Sequence, residues 1–124
     1  RIIKLIDPRG KFGQFDIYGD HKYDIAKLCH SIHGGYDFIL NGHFHYTESK
    51  NGVKLDIFEK SHHIAIQELF NKQFLSFWYN DIKKIHLIES LLFISLVPLH
   101  KDKPLAQKAF LSRGLLLLDE ALVK

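Results

Sequence analysis

The chain has 124 residues, of which 46% are hydrophobic and 25% charged. That suits one folded, soluble domain and excludes global disorder or a second full domain. Lys and Arg number 17 against 14 Asp and Glu, a formal charge of +3 with His neutral; an excess this small and scattered tolerates an anionic partner but builds no nucleic-acid surface.

In chain order, residues 2–6 read as a short buried strand ended by the turn Asp7-Pro8-Arg9-Gly10. That break also comes too early for a secretion signal. A looser glycine-bearing stretch runs to Gly19. Asp20 or Tyr23-Asp24-Ile25 then opens a helix whose stripe is Ile25, Leu28, Cys29 and Ile32, closed by Gly34-Gly35. Asp37 caps a short helical piece through Phe38-Ile39-Leu40. Residues 42–59 predict a β-hairpin, because Phe44 and Tyr46 alternate with polar neighbours, as do Val53, Leu55 and Ile57, around Asn51-Gly52. A helix is predicted from Ser61 through Ile64, Leu69, Phe70, Phe74, Phe77 and Trp78. The next starts at Asp81, with Ile82, Ile85, Ile88, Leu92 and Ile94 or Ser95 inward, and ends at Pro98. Pro104 opens a last helix through Ala106, Phe110, Leu111, Leu115, Leu118 and Leu122. No apolar run approaches the roughly 20 residues that span a bilayer. The expected fold is therefore α+β and mostly helical, with a short N-terminal strand, one β-hairpin and three packed C-terminal helices.

The residues Ile3-Lys4-Leu5-Ile6-Asp7-Pro8-Arg9-Gly10 and Tyr18-Gly19-Asp20-His21-Lys22-Tyr23-Asp24-Ile25-Ala26-Lys27-Leu28 together resemble the C-terminal lobe of small-molecule kinases. These are the aminoglycoside phosphotransferase and choline kinase-like enzymes, and Asp7-Pro8-Arg9-Gly10 looks more like the bacterial variant associated with surface-polysaccharide genes. In that family a buried strand ends in a magnesium-holding Asp, and a Gly-Asp-Pro-x-x-Asp-Leu-Ala-like stretch leads into a helix. Asp7 matches the metal-binding Asp and Asp24 the aspartate that opens the helix. His21 replaces the common Pro and Ile25 the common Leu. The resemblance covers about the first thirty residues. It implies Mg and ATP as cofactors and a small hydroxylated acceptor, a sugar or an amino alcohol. The family's His-x-Asp-x-x-x-x-Asn-like catalytic loop and its nucleotide-clamping lobe, which phosphoryl transfer requires, have no counterpart in these residues. With Arg1 first and no Met, the expectation is a C-terminal fragment of a larger kinase-like protein, joined to its upstream part and inactive alone.

The candidate residues follow. Asp7 would bind Mg, which takes few protein oxygens beside substrate phosphates. Arg9 would pair with phosphate through its fork of donors, or bridge to Asp16, Asp20 or Asp24. Asp20 and Asp24 are structural candidates at the helix start. Asp37 and Glu89 are candidates for an acceptor pocket, and for Glu89 the competing role is a pairing with Lys or His. His43 and His45 share a strand face and could chelate zinc or iron, but surface or half-buried histidines are the plainer expectation for these and for His30, His33, His62 and His63. Cys29 on an apolar face reads as a buried thiol. As the lone Cys it excludes an internal disulfide and a thiolate zinc cluster, and it suits a reducing, cytoplasmic setting. Gly10-Lys11-Phe12-Gly13 lacks the spacing of a phosphate loop. The alternative to a kinase is a non-enzymatic helical binding or oligomerisation domain, in which the Leu, Ile and Phe supply builds an interface.

Overall fold

A computed structural model of the chain describes residues 21–123. The expected strand at residues 2–6, and Asp7, Arg9 and Asp20 with it, lie outside the described residues. The order from there is α1 (His21–Ile32), α2 (Tyr36–Leu40), β1 (Phe44–Ser49), β2 (Gly52–Ile57), α3 (Ser61–Gln73), a 3-10 segment (Leu75–Asp81), α4 (Ile82–Leu96), a second 3-10 turn (Val97–His100) and α5 (Pro104–Val123). The fold is mostly helical, with one antiparallel hairpin and packed C-terminal helices.

Helix α1 buries Ile25, Ala26, Cys29 and His30. Leu28, expected on this face, is 45% exposed. The real stripe is turned by about one residue, because small Ala26 and flat His30 admit a closer neighbour than Leu28 would. Gly34 makes that approach possible at the helix end. A Cβ there would lie 2.5 Å from the Phe93 ring and 2.6 Å from the His30 carbonyl oxygen. Gly35 follows in the left-handed region at φ 75° and starts α2.

In the hairpin Phe44 pairs with Ile57 and Ser49 with Gly52. The two turn residues are therefore Lys50 and Asn51, and Gly52 closes the turn at φ 128°. The expected Asn51-Gly52 centre is thus displaced by one position. The alternation holds for Phe44, Leu55 and Ile57, which lie against the core, and for the exposed His43 and His45, but Val53, expected to share it, is 51% exposed. Lys108 of α5 grips the face of β1 that carries Phe44, by a 2.9 Å contact with Glu48, which also accepts from the Tyr46 hydroxyl at 3.0 Å.

Helix α4 is the axis of the core. Its Ile85 joins Ile25, Ala26 and Cys29 of α1. Its Phe93 joins Ile39, Ala106, Ala109, Phe110 and Leu117. The fully inward residues of α4 are Ile85, Glu89, Ser90 and Phe93. Ile82, Ile88, Leu92 and Ile94, expected inward, are half-buried, and Ser95 is exposed. Along α5, Ala106, Ala109, Phe110 and Leu117 face in, whereas Leu111, Leu115 and Leu122 are exposed. Small side chains decide this phase. At Gly114 a Cβ would come within 2.8 Å of the Ile94 side chain and 3.1 Å of the Ser90 carbonyl, so its absence lets the two helices close.

Helix α3 departs from the expected three-helix packing, for it buries no residue. It is held through the end of α1. The last carbonyls of a helix lack intrahelical donors, and Ile32 O accepts from Gln67 Nε2 at 2.9 Å and lies 3.1 Å from His63 Nε2. Phe70 adds an apolar contact with the second core cluster. The helix stops before Trp78, whose φ −109° and ψ 17° interrupt helical geometry. Gln67→Ala is expected to cost about 1 kcal/mol of local stability. Amide exchange should quicken across α3 and stay unchanged in α4 and α5; uniform quickening would show that α3 is part of the global core. Among the described residues no helix is long and apolar enough to cross a membrane.

Candidate functional site

The most polar part of the interior is built around Glu89. This residue is 1% exposed in the middle of α4, placed there by its i+4 step from Ile85. Burying a carboxylate costs several kcal/mol unless charge or hydrogen bonds answer it. One turn earlier, His86 Nδ1 lies 3.4 Å from Glu89 Oε2, close enough for an ion pair but not aligned as a hydrogen bond. Contact with this carboxylate raises the His86 pKa above the ordinary imidazole value, and burial works against it.

Three further groups face the pair. Arg113 of α5 donates from Nη2 to the His33 carbonyl at 3.0 Å, tying α5 to the end of α1. The His33 ring is lowered in pKa by burial, against an Asn71 contact and the Glu89 charge. Cys29 approaches from α1, and burial followed by the Glu89 charge pushes its thiol up to about 12. It is thus a protonated core residue rather than a nucleophile. Both Glu89 oxygens, His33 Nε2, His86 Nδ1 and Arg113 Nε are buried without a hydrogen-bond partner.

The other carboxylates named from the sequence lie elsewhere. Asp24 is exposed in the first turn of α1, where its charge faces the positive helix end. Asp37 is exposed in the first turn of α2, without a side-chain cap; Gly35 takes the cap position. A groove of about 570 Å3 is lined by Leu40, Asn41, Phe44, Lys103 and Leu105 among others. A second, of about 460 Å3, lies between β2 and α5 and includes Leu55, Ile57 and Arg113. Neither includes Asp37 or Glu89. Asp7 and Arg9 are outside the described residues.

Sequence reasoning placed the histidines on or near the surface, and His30 departs from that. It is 5% exposed, with ring centroids 4.7 Å from Tyr36 and 4.2 Å from Phe93. Burial, then the Lys27 charge, pushes it down to about 4, so it sits neutral in the core. Its spacing of four from Ala26 was the available signal. His86 was missed as well, although its three-residue step to Glu89 puts the two on one helix face. Among the described residues, no three His, Cys, Asp or Glu side chains converge as a metal ion would need. His45 packs edge-on against Phe58 at 4.7 Å.

No family model, curated protein or solved structure matches the chain.

Proposed function

We propose that the chain is the C-terminal part of a magnesium-dependent phosphotransferase that moves the terminal phosphoryl group of ATP to a hydroxyl of a small acceptor, a sugar or an amino alcohol. The observation that carries this reading is the register of the second motif on α1. The helix starts at His21, Asp24 stands exposed in its first turn, and Ile25 and Ala26 immediately after it are buried. The resemblance has this aspartate opening the helix; Asp24 instead stands fourth in α1, still within the first turn at its positive end. Asp7, which the sequence alone places after an expected strand, is the complementary piece.

In this reading Asp7 would hold the metal and Arg9 would pair with a phosphate oxygen. Bound magnesium neutralises charge on the transferring group. Asp24 braces the region at the start of α1. An aspartate outside this chain orients the acceptor hydroxyl and takes its proton as the new P–O bond forms and the bond to ADP breaks. A cytoplasmic location suits both ATP use and the reduced Cys29.

The exposed apolar surface favours a second reading, a non-enzymatic helical binding or oligomerisation domain. Phe77 is 83% exposed and Leu122 70%, and α3 buries nothing. The deciding experiment incubates the full-length protein with labelled ATP, magnesium and a panel of sugars and amino alcohols. Magnesium-dependent label on an acceptor supports the phosphotransferase. Absence of both transfer and nucleotide binding, with self-association lost on making Leu115 and Leu122 polar, supports the binding domain.

A further inference from the structure

The cluster around Glu89 has a property independent of any phosphoryl transfer. Its five unpartnered buried atoms come from three parts of the fold: α4 supplies Glu89 and His86, α5 supplies Arg113, and the turn after α1 supplies His33. The charged and titratable groups facing it are Cys29 and His33 from the α1 side, Arg113 and Glu120 from α5, and, on the His33 side, Glu59. Asn71 of α3 contacts His33.

Arg113 serves two potential partners. Its Nη2 caps the His33 carbonyl while its Nε is buried and unused. Glu89 has one cationic partner on its own helix, His86, and the Arg113 charge acts on that same His86 from across the interface. While His86 holds a proton, the carboxylate has a charged partner 3.4 Å away and Arg113 stays on the end of α1. Once His86 is neutral, Arg113 is the remaining full charge within the cluster for a carboxylate that water does not reach.

We propose that His86, Glu89 and Arg113 form a proton-operated clasp, in which loss of the His86 proton draws Arg113 from the His33 carbonyl to Glu89 and frees the end of α1. The same carbonyl turn anchors α3 through Ile32, so loosening reaches α3 as well. The sign follows from the groups involved. His86 is raised in the fold, so its contribution is complete below pH 6.5 and is lost as pH climbs through its higher folded value. His33 is lowered, so its contribution is complete above 6.5 and is lost on acidification. The clasp is tightest near pH 6.5, with His86 charged and His33 neutral.

The experiment is an NMR pH titration of the full chain, following the His86 ring and the His33 carbonyl carbon together. The expected result is that the His33 carbonyl shift steps with the His86 midpoint, above pH 6.5, and that α3 amide protection, taken against the base-catalysed intrinsic rate, falls several-fold through the same step. In His86→Gln the step is absent and α3 keeps the lower protection at all pH values above 6.5. A His86 midpoint at or below 6.5 overturns the proposal. So does a His33 carbonyl that stays flat while His86 titrates, and so does a step that survives in His86→Gln.

Discussion

Phe93→Ala is expected to lower the stability of the chain by about 3–5 kcal/mol. Phe93 is 0% exposed and fills the junction where three segments meet. Its ring lies 4.2 Å from His30 of α1 and 6.2 Å from Phe110 of α5, and directly over Gly34. The two glycines beside it, Gly34 and Gly114, leave no side chain free to swing into the void, so the cavity stays open and its cost stays high. Against a typical total of about 5–15 kcal/mol the variant would be marginal. Urea unfolding should show a lower midpoint at unchanged slope, and Phe93→Leu should recover part of the loss. A change below about 1 kcal/mol would mean that the α4–α5 junction is not the core.

Acid should destabilise the protein through His30. An ordinary histidine takes its proton near 6.5, whereas in the fold His30 is pushed down to about 4. The unfolded chain therefore binds a proton that the folded chain refuses. His30 contributes fully above pH 6.5, and that contribution drains away as pH falls through about 4. At 1.36 kcal/mol per pH unit the drain amounts to about 3 kcal/mol. His30→Phe keeps a flat ring between Tyr36 and Phe93 but cannot titrate. Stability measured between pH 7 and 4 should fall about 3 kcal/mol less in this variant than in the wild type. Parallel curves would show that His30 reaches water before it is protonated.

Much of the helical layout was legible in the sequence because local chemistry marks it. Gly34-Gly35 ends α1, Pro104 opens α5, Ser61 begins α3, and alternation around Phe44–Tyr46 and Val53–Ile57 marks the hairpin. Helix phase was harder to read. The run Leu115-Leu116-Leu117-Leu118 surrounds α5 with equal hydrophobicity, and only packing through Ala106, Ala109 and Gly114 selects Leu117. In α4, Ile88 and Leu92 outrank Ser90 on any apolar scale, yet Ser90 is the one with no exposure; its hydroxyl is satisfied locally by donating to Leu87 O at 2.6 Å. The site divides in the same way. A carboxylate in an apolar helix pointed to Glu89, but its cross-helix neighbours Arg113 and His33 lie 24 and 56 residues away along the chain, where no local pattern connects them.

The proposed phosphotransferase depends on Asp7 as the ligand of its metal. Its most direct test is phosphoryl transfer by the full-length protein carrying Asp7→Asn, at saturating magnesium and ATP. The amide keeps the shape of the carboxylate and removes the charge that the metal needs. The expected result is a fall in turnover of at least about a hundredfold, with the melting temperature and circular dichroism unchanged. Wild-type turnover in Asp7→Asn would rule out metal binding by Asp7 and leave it as a turn residue.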